Sequence, residues 1–404
     1  LFGFFRRNTY KKPGPGEPPV TEPQQQPPAA ERTSRIPLVE VIPRDIQQTI
    51  RGTRKRFLEN LEYNLSLLAE RLPGAELVGE HFSVGSLSKR KVALVYLKNK
   101  ANPGIVSAIR ERIQSIKAET VLDSSYIERN LENDRVSPFP QLETSLRPDV
   151  AESALLQGRI AVLVDGSPEV LLAPASFFDL MDIPSDAYSR WYVAASFFRI
   201  ARYIMFGLAI SLPGLYIALT SYNPELIPNS LLLLMLASRE DVPFPIYFEA
   251  FAMMGVVEAI RMMMLRMPSN LGATIALFSG IALVGAGLAG NYISASVVII
   301  VTLTMVSSFG IPNYDLRSAS RMIQFFTMFM ASFLGLFGFA VALFYIGIHL
   351  ATLKSFGIPY LAPLAPAEAS GWGHTILRES TVAMPRDETY KPRTLNNSAG
   401  DNNE

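Results

Sequence analysis

An α/β soluble N-terminal domain built of two small α/β units, followed by an α-helical polytopic membrane domain, is the fold class this sequence predicts, on three observations. Between Ile200 and Leu350 apolar residues gather into stretches such as Leu271 to Ala289 and Ile293 to Phe309, each near the roughly 20 residues a helix needs to cross a bilayer's hydrocarbon core. Ahead of them, segments of helical periodicity alternate with short β-branched runs, the pattern of helices packed on a sheet. Apolar residues make up 49% of the 404, enough for a soluble domain and a membrane domain of similar length.

The elements follow in order. Residues 1–35 are rich in Pro, Gln and Glu, cannot bury enough apolar surface to offset the entropy of ordering, and are expected to form a disordered tether. Phe4 and Phe5, ahead of Arg6 and Arg7, are too short an apolar core for a signal peptide. A chain opening on Leu1 is expected to lack its initiator residue. Residues 36–190 form the expected α/β domain. Ile46, Ile50, Phe57, Leu61, Leu65 and Leu68 predict an amphipathic helix to Leu72, closed by Pro73-Gly74. Lys91 to Leu97 reads as a buried strand, and Pro103 to Ile116 as a helix with Ile105, Val106, Ile109, Ile113 and Ile116 on one face. A second unit has a helix from Pro148 to Leu156, a strand from Ile160 to Val164, the turn Asp165-Gly166-Ser167-Pro168 and a strand from Val170 to Ala173.

The membrane domain is expected over 191–353, after a boundary in Pro184 to Arg190, and a C-terminal segment and polar tail over 354–404. Arg199 and Arg202 flank the first span, about Tyr203 to Leu219, and favour a cytoplasmic soluble domain. Asn229 to Ser238 is too short to cross. Val242 to Ile260 carries Glu249 and Glu258, so it is read as re-entrant or as lining a wet cavity. Leu271 to Ala289 and Ile293 to Phe309 read as a helical hairpin, and Met322 to Leu350 as a tilted span or a helix that starts along the surface. Both termini are expected on one side.

Composition excludes several chemistries. A net charge of +1 offers no field for nucleic acid, zero cysteines remove disulfide and thiolate chemistry, and His81, His349 and His374 are too scattered for a metal or Ser-His-Asp site. No catalytic residue, cofactor or metal is expected, and the chain is not read as an enzyme. Gly285-Ala-Gly287-Leu-Ala-Gly290 fits G-x-G-x-x-G but ends a membrane span, where small residues suit close helix approach better than a dinucleotide. Charges at membrane depth carry more, because each is costly without water or a partner. Glu249, Glu258 and Arg261 are the candidates for an ion path or gate; Glu258 and Arg261, three apart, also suit mutual neutralisation. Arg239, Glu240 and Asp241 precede the stiff turn Pro243-Phe-Pro245, which suits interfacial anchoring. The methionines Met253, Met254, Met262, Met263 and Met264 suit packing, or a gate that moves.

Several strings together resemble the GerA family of spore germination receptors, on the side of the A subunit, from about Arg44 to Pro366. They are Leu122-Asp-Ser-Ser-Tyr-Ile127, Ser137-Pro-Phe-Pro-Gln141, Arg147-Pro-Asp149, Gly158 to Pro168, Arg239 to Pro245, Ile311-Pro312-Asn313-Tyr314 and Ser355 to Pro366. The stage V sporulation AF type shares this architecture, but the Asp165-Gly166-Ser167-Pro168 turn and the Pro312-Asn313 segment look more like the receptor type. Where the family usually has a Gly-Gln pair and a Glu in its third long apolar segment, this chain has Val284, Gly285 and Ala289. The resemblance implies a complex with a transporter-like B subunit and a lipoprotein C subunit in the spore inner membrane. It also implies a ring of A subunits that conducts ions; a non-conducting scaffold is the alternative.

Overall fold

The computed structural model describes residues 55–183 and 192–365. The tether, the expected boundary at Pro184 to Arg190 and the polar tail lie outside them. The soluble part contains α1 (Leu61–Arg71), β1 (Leu77–Val84), β2 (Arg90–Leu97), α2 (Pro103–Ser115), α3 (Ser124–Leu131), β3 (Glu143–Ser145), α4 (Pro148–Gln157), β4 (Ile160–Val164), β5 (Val170–Ala173) and α5 (Phe177–Met181).

The two expected α/β units close into one sheet of order β1-β2-β4-β5-β3, antiparallel at every junction. They merge because β2 of the first pairs with β4 of the second, Val92 opposite Val164. Side chains alternate across a strand, so Val92 and Leu94 face α2 and α3 through Ile105, Ile109, Ile113 and Ile127. Ala93 and Val95 face the other way, onto Leu61 and Leu68 of α1 and Ala151 and Leu155 of α4. Helices on both faces explain why β2 and β4 read as continuous apolar runs. The edge strand β1, Leu-Val-Gly-Glu-His-Phe-Ser-Val, is only partly covered and so carries polar residues.

Among the described residues the helix expected to reach back to Ile46 begins only at Leu61. Asn60 caps it, its side chain accepting from Tyr63 N, while Phe57 N donates to Leu146 O in a non-helical approach. The Asp165-Gly166 turn holds this entry: Asp165 Oδ1 accepts from Leu61 N at 3.3 Å and Gly166 N donates to Glu59 O at 2.8 Å. Gly166 sits at φ +81°, a left-handed conformation that favours glycine, and a Cβ there would push the Arg90 guanidinium aside.

The membrane domain contains α6 (Tyr192–Tyr222), α7 (Asn229–Ala237), α8 (Ile246–Arg266), α9 (Ser269–Ala289), α10 (Ala295–Phe309) and α11 (Tyr314–Thr352), then the short strands β6 (Lys354–Ser355) and β7 (Ile358–Pro359). Val193–Tyr222, Leu271–Ala289 and Tyr314–Thr352 are long and apolar enough to cross a bilayer. The last corrects the single span expected from Met322 to Leu350, because α11 is broken at Gly335 (φ 60°, ψ −138°) and doubles back. The Phe326 and Tyr345 rings lie 6.0 Å apart, which 19 residues of straight helix would place about 28 Å apart. Gly335 is needed twice over: its backbone conformation is nearly glycine-only, and a Cβ would stand 2.7 Å from the Tyr222 ring.

Contacts fix the direction of each helix. Both ends of α11 meet the soluble domain. Thr144 Oγ1 donates to Asp315 Oδ2 at 3.0 Å, Ser137 Oγ and His349 Nε2 are 2.8 Å apart, and Ser355 Oγ donates to Gln141 O at 2.7 Å. The fold-back at Gly335 lies against the end of α6, where the Tyr222 hydroxyl donates to Ser332 O. We call the soluble-domain end proximal and the Gly335 end distal. Helix α8 starts distally, beside Tyr216 and Ser294, and ends proximally beside Arg321. Helix α9 returns distally to Asn291, which donates to Asp241, and α10 comes back to Ile311 beside the soluble domain. Among the described residues, then, six helical passes, α6, α8, α9, α10 and the two arms of α11, leave the soluble domain and residues 354–365 on one side. Helices α9 and α10 do not form the expected hairpin: α9 packs on α8 and α10 on α6. Within the chain, Gly285 meets no neighbour, and Gly287 makes room for Ile293 of the turn rather than for another helix.

Candidate functional site

Helix α8 is 21 residues long, so it has the length to cross although Glu249, Glu258, Arg261 and Arg266 break its hydropathy. It is a continuous helix rather than a re-entrant segment. Its carboxylates sit in the first turn and just past the middle, in different surroundings.

At the distal end Glu249 is 1% exposed. Its carboxylate accepts from the Arg239 guanidinium and from Ser294 N. Arg239 also donates to Phe244 O at 2.9 Å, inside the turn stiffened by Pro243 and Pro245, and Pro245 O accepts from Glu249 N at 3.1 Å. Arg239, expected as an interfacial anchor, is therefore an internal partner of Glu249, and Asp241 is 3.4 Å from the Asn291 amide. Ser294 starts α10, its Oγ accepting from Val297 N at 3.4 Å, so one carboxylate ties the α7–α8 corner to α10. Such a pair survives burial because both charges are hydrogen-bonded.

At the proximal end Glu258 meets Arg261 at 3.1 Å, as the three-residue spacing predicts, but also Arg321 of α11 at 3.6 Å. Arg321 was not legible as a partner, because the apolar run after it reads as a span beginning at Met322. Its signal was an arginine four residues after Arg317. Pro312 and Asn313 set the start of that arm: Asn313 Oδ1 accepts from Leu316 N at 3.0 Å, and Arg317 donates to Ile311 O. In the soluble domain Pro168 follows Ser167, whose hydroxyl donates to Ser124 at 3.0 Å, completing the turn begun by Asp165 and Gly166.

A further carboxylate faces the junction between the domains. Glu128 of α3 is pushed up to about 8 by burial, then by the negative charges of Asp315, Glu132, Glu169 and Asp123. Among the described residues no group of three His, Asp or Glu side chains is arranged to hold a metal ion.

An α/β domain joined to a six-pass bundle with paired charges in both halves of one helix defines an integral membrane protein whose polar contacts link helices. The family model described as Bacillus/Clostridium GerA spore germination protein matches residues 34–390. "Uncharacterized membrane protein YfkQ" of Bacillus subtilis (strain 168) is 38% identical over 320 residues, 79% of this chain and 62% of that protein. "Spore germination protein A1" of the same organism is 36% identical over 341 residues, 84% of this chain and 70% of that protein. "Spore germination protein KA" is 33% identical over 82% of this chain and 61% of that protein. The chain thus spans less than two thirds of the first and third of these. The crystal structure of the N-terminal domain of the A subunit of the Bacillus megaterium spore germinant receptor GerK3 is 37% identical, covering 30% of this chain and 98% of that domain, with a TM-score of 0.26. The chain belongs to the GerA spore germination family.

Proposed function

We propose that this chain is the A subunit of a nutrient germinant receptor in the spore inner membrane, acting with a transporter-like B subunit and a lipoprotein C subunit. In this reading A subunits assemble into a ring that conducts ions when nutrient is bound, and residues 36–190 are its cytoplasmic domain. Relatives described as spore germination proteins A1 and KA support the receptor role. Sidedness is supported by charge: Arg199, Arg202, Arg261, Arg266, Arg317 and Arg321 gather proximally, whereas Arg239 is the one arginine among Glu225, Glu240 and Asp241 in the distal segment 223–245. Positive charge favours the cytoplasmic side.

The observation that carries the mechanism is the Glu249 tie. A fully buried carboxylate that joins the α7–α8 corner to α10 holds one arrangement of these helices and must exchange partners in another. We assign Glu249 and Arg239 to the closed gate, and Glu258 with Arg261 to the proximal mouth of the ion path. Nutrient binding at the partner opens the path if the open ring has better contacts with the loaded partner.

The test is nutrient-triggered potassium release from spores carrying the wild-type chain, a deletion or Glu249→Gln at equal abundance, with potassium flux through liposomes holding the purified chain. Deletion should abolish release and Glu249→Gln should raise basal leakage in both assays. A non-conducting scaffold, the alternative, predicts loss of release on deletion with liposome leakage unchanged. Release unaffected by deletion would favour the stage V sporulation AF type of role.

A further inference from the structure

The proximal charge group does not balance. Glu258 is the carboxylate shared by Arg261 at 3.1 Å and Arg321 at 3.6 Å, and Arg321 turns its remaining side to the Ser318 hydroxyl at 3.1 Å. Two guanidinium groups on one carboxylate leave one positive charge, held by side chains only 14–16% exposed. An under-neutralised charge at the edge of hydrocarbon draws a counter-charge. The group lies about two turns into α11, which begins against the soluble domain.

The surroundings indicate what supplies the counter-charge. Four and seven residues beyond Glu258, on its face of α8, Met262 and Leu265 are 56% and 55% exposed, and Met322 beside Arg321 is 66% exposed. Leu265, four residues beyond Arg261, shares its face of α8, so an anion held there lies beside exposed apolar side chains. A soluble anion gains nothing from that band; a phosphodiester with acyl chains fills both parts.

We propose that Arg261 and Arg321 form a binding site for the headgroup phosphate of an anionic phospholipid, with Glu258 orienting both guanidinium groups and Met262, Leu265 and Met322 receiving the acyl chains. Guanidinium groups are suited to phosphate because their planar donors match its oxygens. The site puts the Glu258–Arg261 pair on the lipid side of the path's proximal mouth; it does not depend on ion conduction, and its test reads lipid rather than ions. Its occupant would lock α8 to the first arm of α11.

The full chain is purified in mild detergent and mixed with micelles of phosphatidylglycerol or phosphatidylcholine, and retained lipid is counted by native mass spectrometry. Phosphatidylglycerol should be retained about tenfold better than phosphatidylcholine. Arg321→Gln and Arg261→Gln should each remove most of that preference, Arg321→Lys should keep part of it, and Glu258→Gln should strengthen it. Folding of every variant is checked by its thermal transition, and Glu258→Gln, which removes the competing negative charge but keeps a hydrogen-bonding side chain, keeps the test decisive if an arginine variant does not fold, because unchanged or weaker retention there also overturns the site. Equal retention of the two lipids, or a preference unchanged in Arg321→Gln, overturns the site. Inorganic phosphate at millimolar concentration that displaces phosphatidylglycerol would reassign it to a soluble anion and overturn the lipid reading.

Discussion

The distal and proximal halves of α8 place the same residue type in opposite situations. Glu249, distal, is sealed from solvent, matched one to one with Arg239 and further satisfied by Ser294 N. Glu258, proximal, is about a quarter exposed and outnumbered by Arg261 and Arg321. Burial makes the first contact stiff and expensive to break, while partial exposure and excess positive charge leave the second adjustable and open to a ligand. One helix thus carries a fixed tie and an unfinished one.

The largest effect should come from breaking the fixed end. Glu249→Ala strands Arg239 in the bundle and should cost about 3–5 kcal/mol, read as loss of thermal stability in detergent. Replacing Arg239 and Glu249 together by Met and Leu should recover most of that loss, since the pair itself contributes little beyond satisfying its own charges. If the single and double variants are equally damaged, the contrast between the ends is wrong. Next in size, Gly335→Ala should destabilise by about 1–3 kcal/mol through strained backbone and the Tyr222 clash, loosening the distal fold-back. The proximal end should respond less: Glu258→Gln should cost about 1 kcal/mol. Exchanging Glu258 and Arg261 should restore only part of it, because Arg321 would then face an arginine at position 258; full restoration would mean Arg321 takes no part.

The smallest effect is one of pH, at the junction beyond the proximal end. Below about 4.5 the Glu128 carboxyl is protonated in folded and unfolded chain alike, and its contribution to stability is complete. As pH rises toward about 8 the unfolded chain sheds that proton while the folded chain keeps it, so stability falls across this window and the contribution is gone above it. The protection of amides in residues 124–131 and 314–318 against hydrogen exchange, relative to their base-catalysed intrinsic rate, should fall between pH 6 and about 8.5 in the wild type and change less in Glu128→Gln.

Local periodicity carried much of this fold. Ile105, Ile109 and Ile113 marked α2, and the Asp165-Gly166 turn marked the return of β4 into β5, because those signals lie within one element. The joining of two units into one sheet was not legible, since β1 is half polar and the pairing of Val92 with Val164 spans 72 residues. Nor was the reversal at Gly335, where an apolar run passes through a glycine that looks like any other in a membrane helix. For the charges, Glu258 with Arg261 followed from spacing. Arg239 with Glu249 and Ser294 did not, because only the folded corner brings positions 239, 249 and 294 together.

Sidedness tests the account most directly, because the distinction between the ends of α8 rests on six passes. The chain has no cysteine, so single cysteines at Asp241, Arg266 and Lys354 report without background when expressed in bacterial cells and treated with an impermeant thiol reagent. The account predicts that Asp241→Cys is labelled in intact cells, and that Arg266→Cys and Lys354→Cys are labelled only after the membrane is opened. Labelling of Lys354→Cys together with Asp241→Cys in intact cells would contradict the fold-back at Gly335 and, with it, the pairing of the two ends.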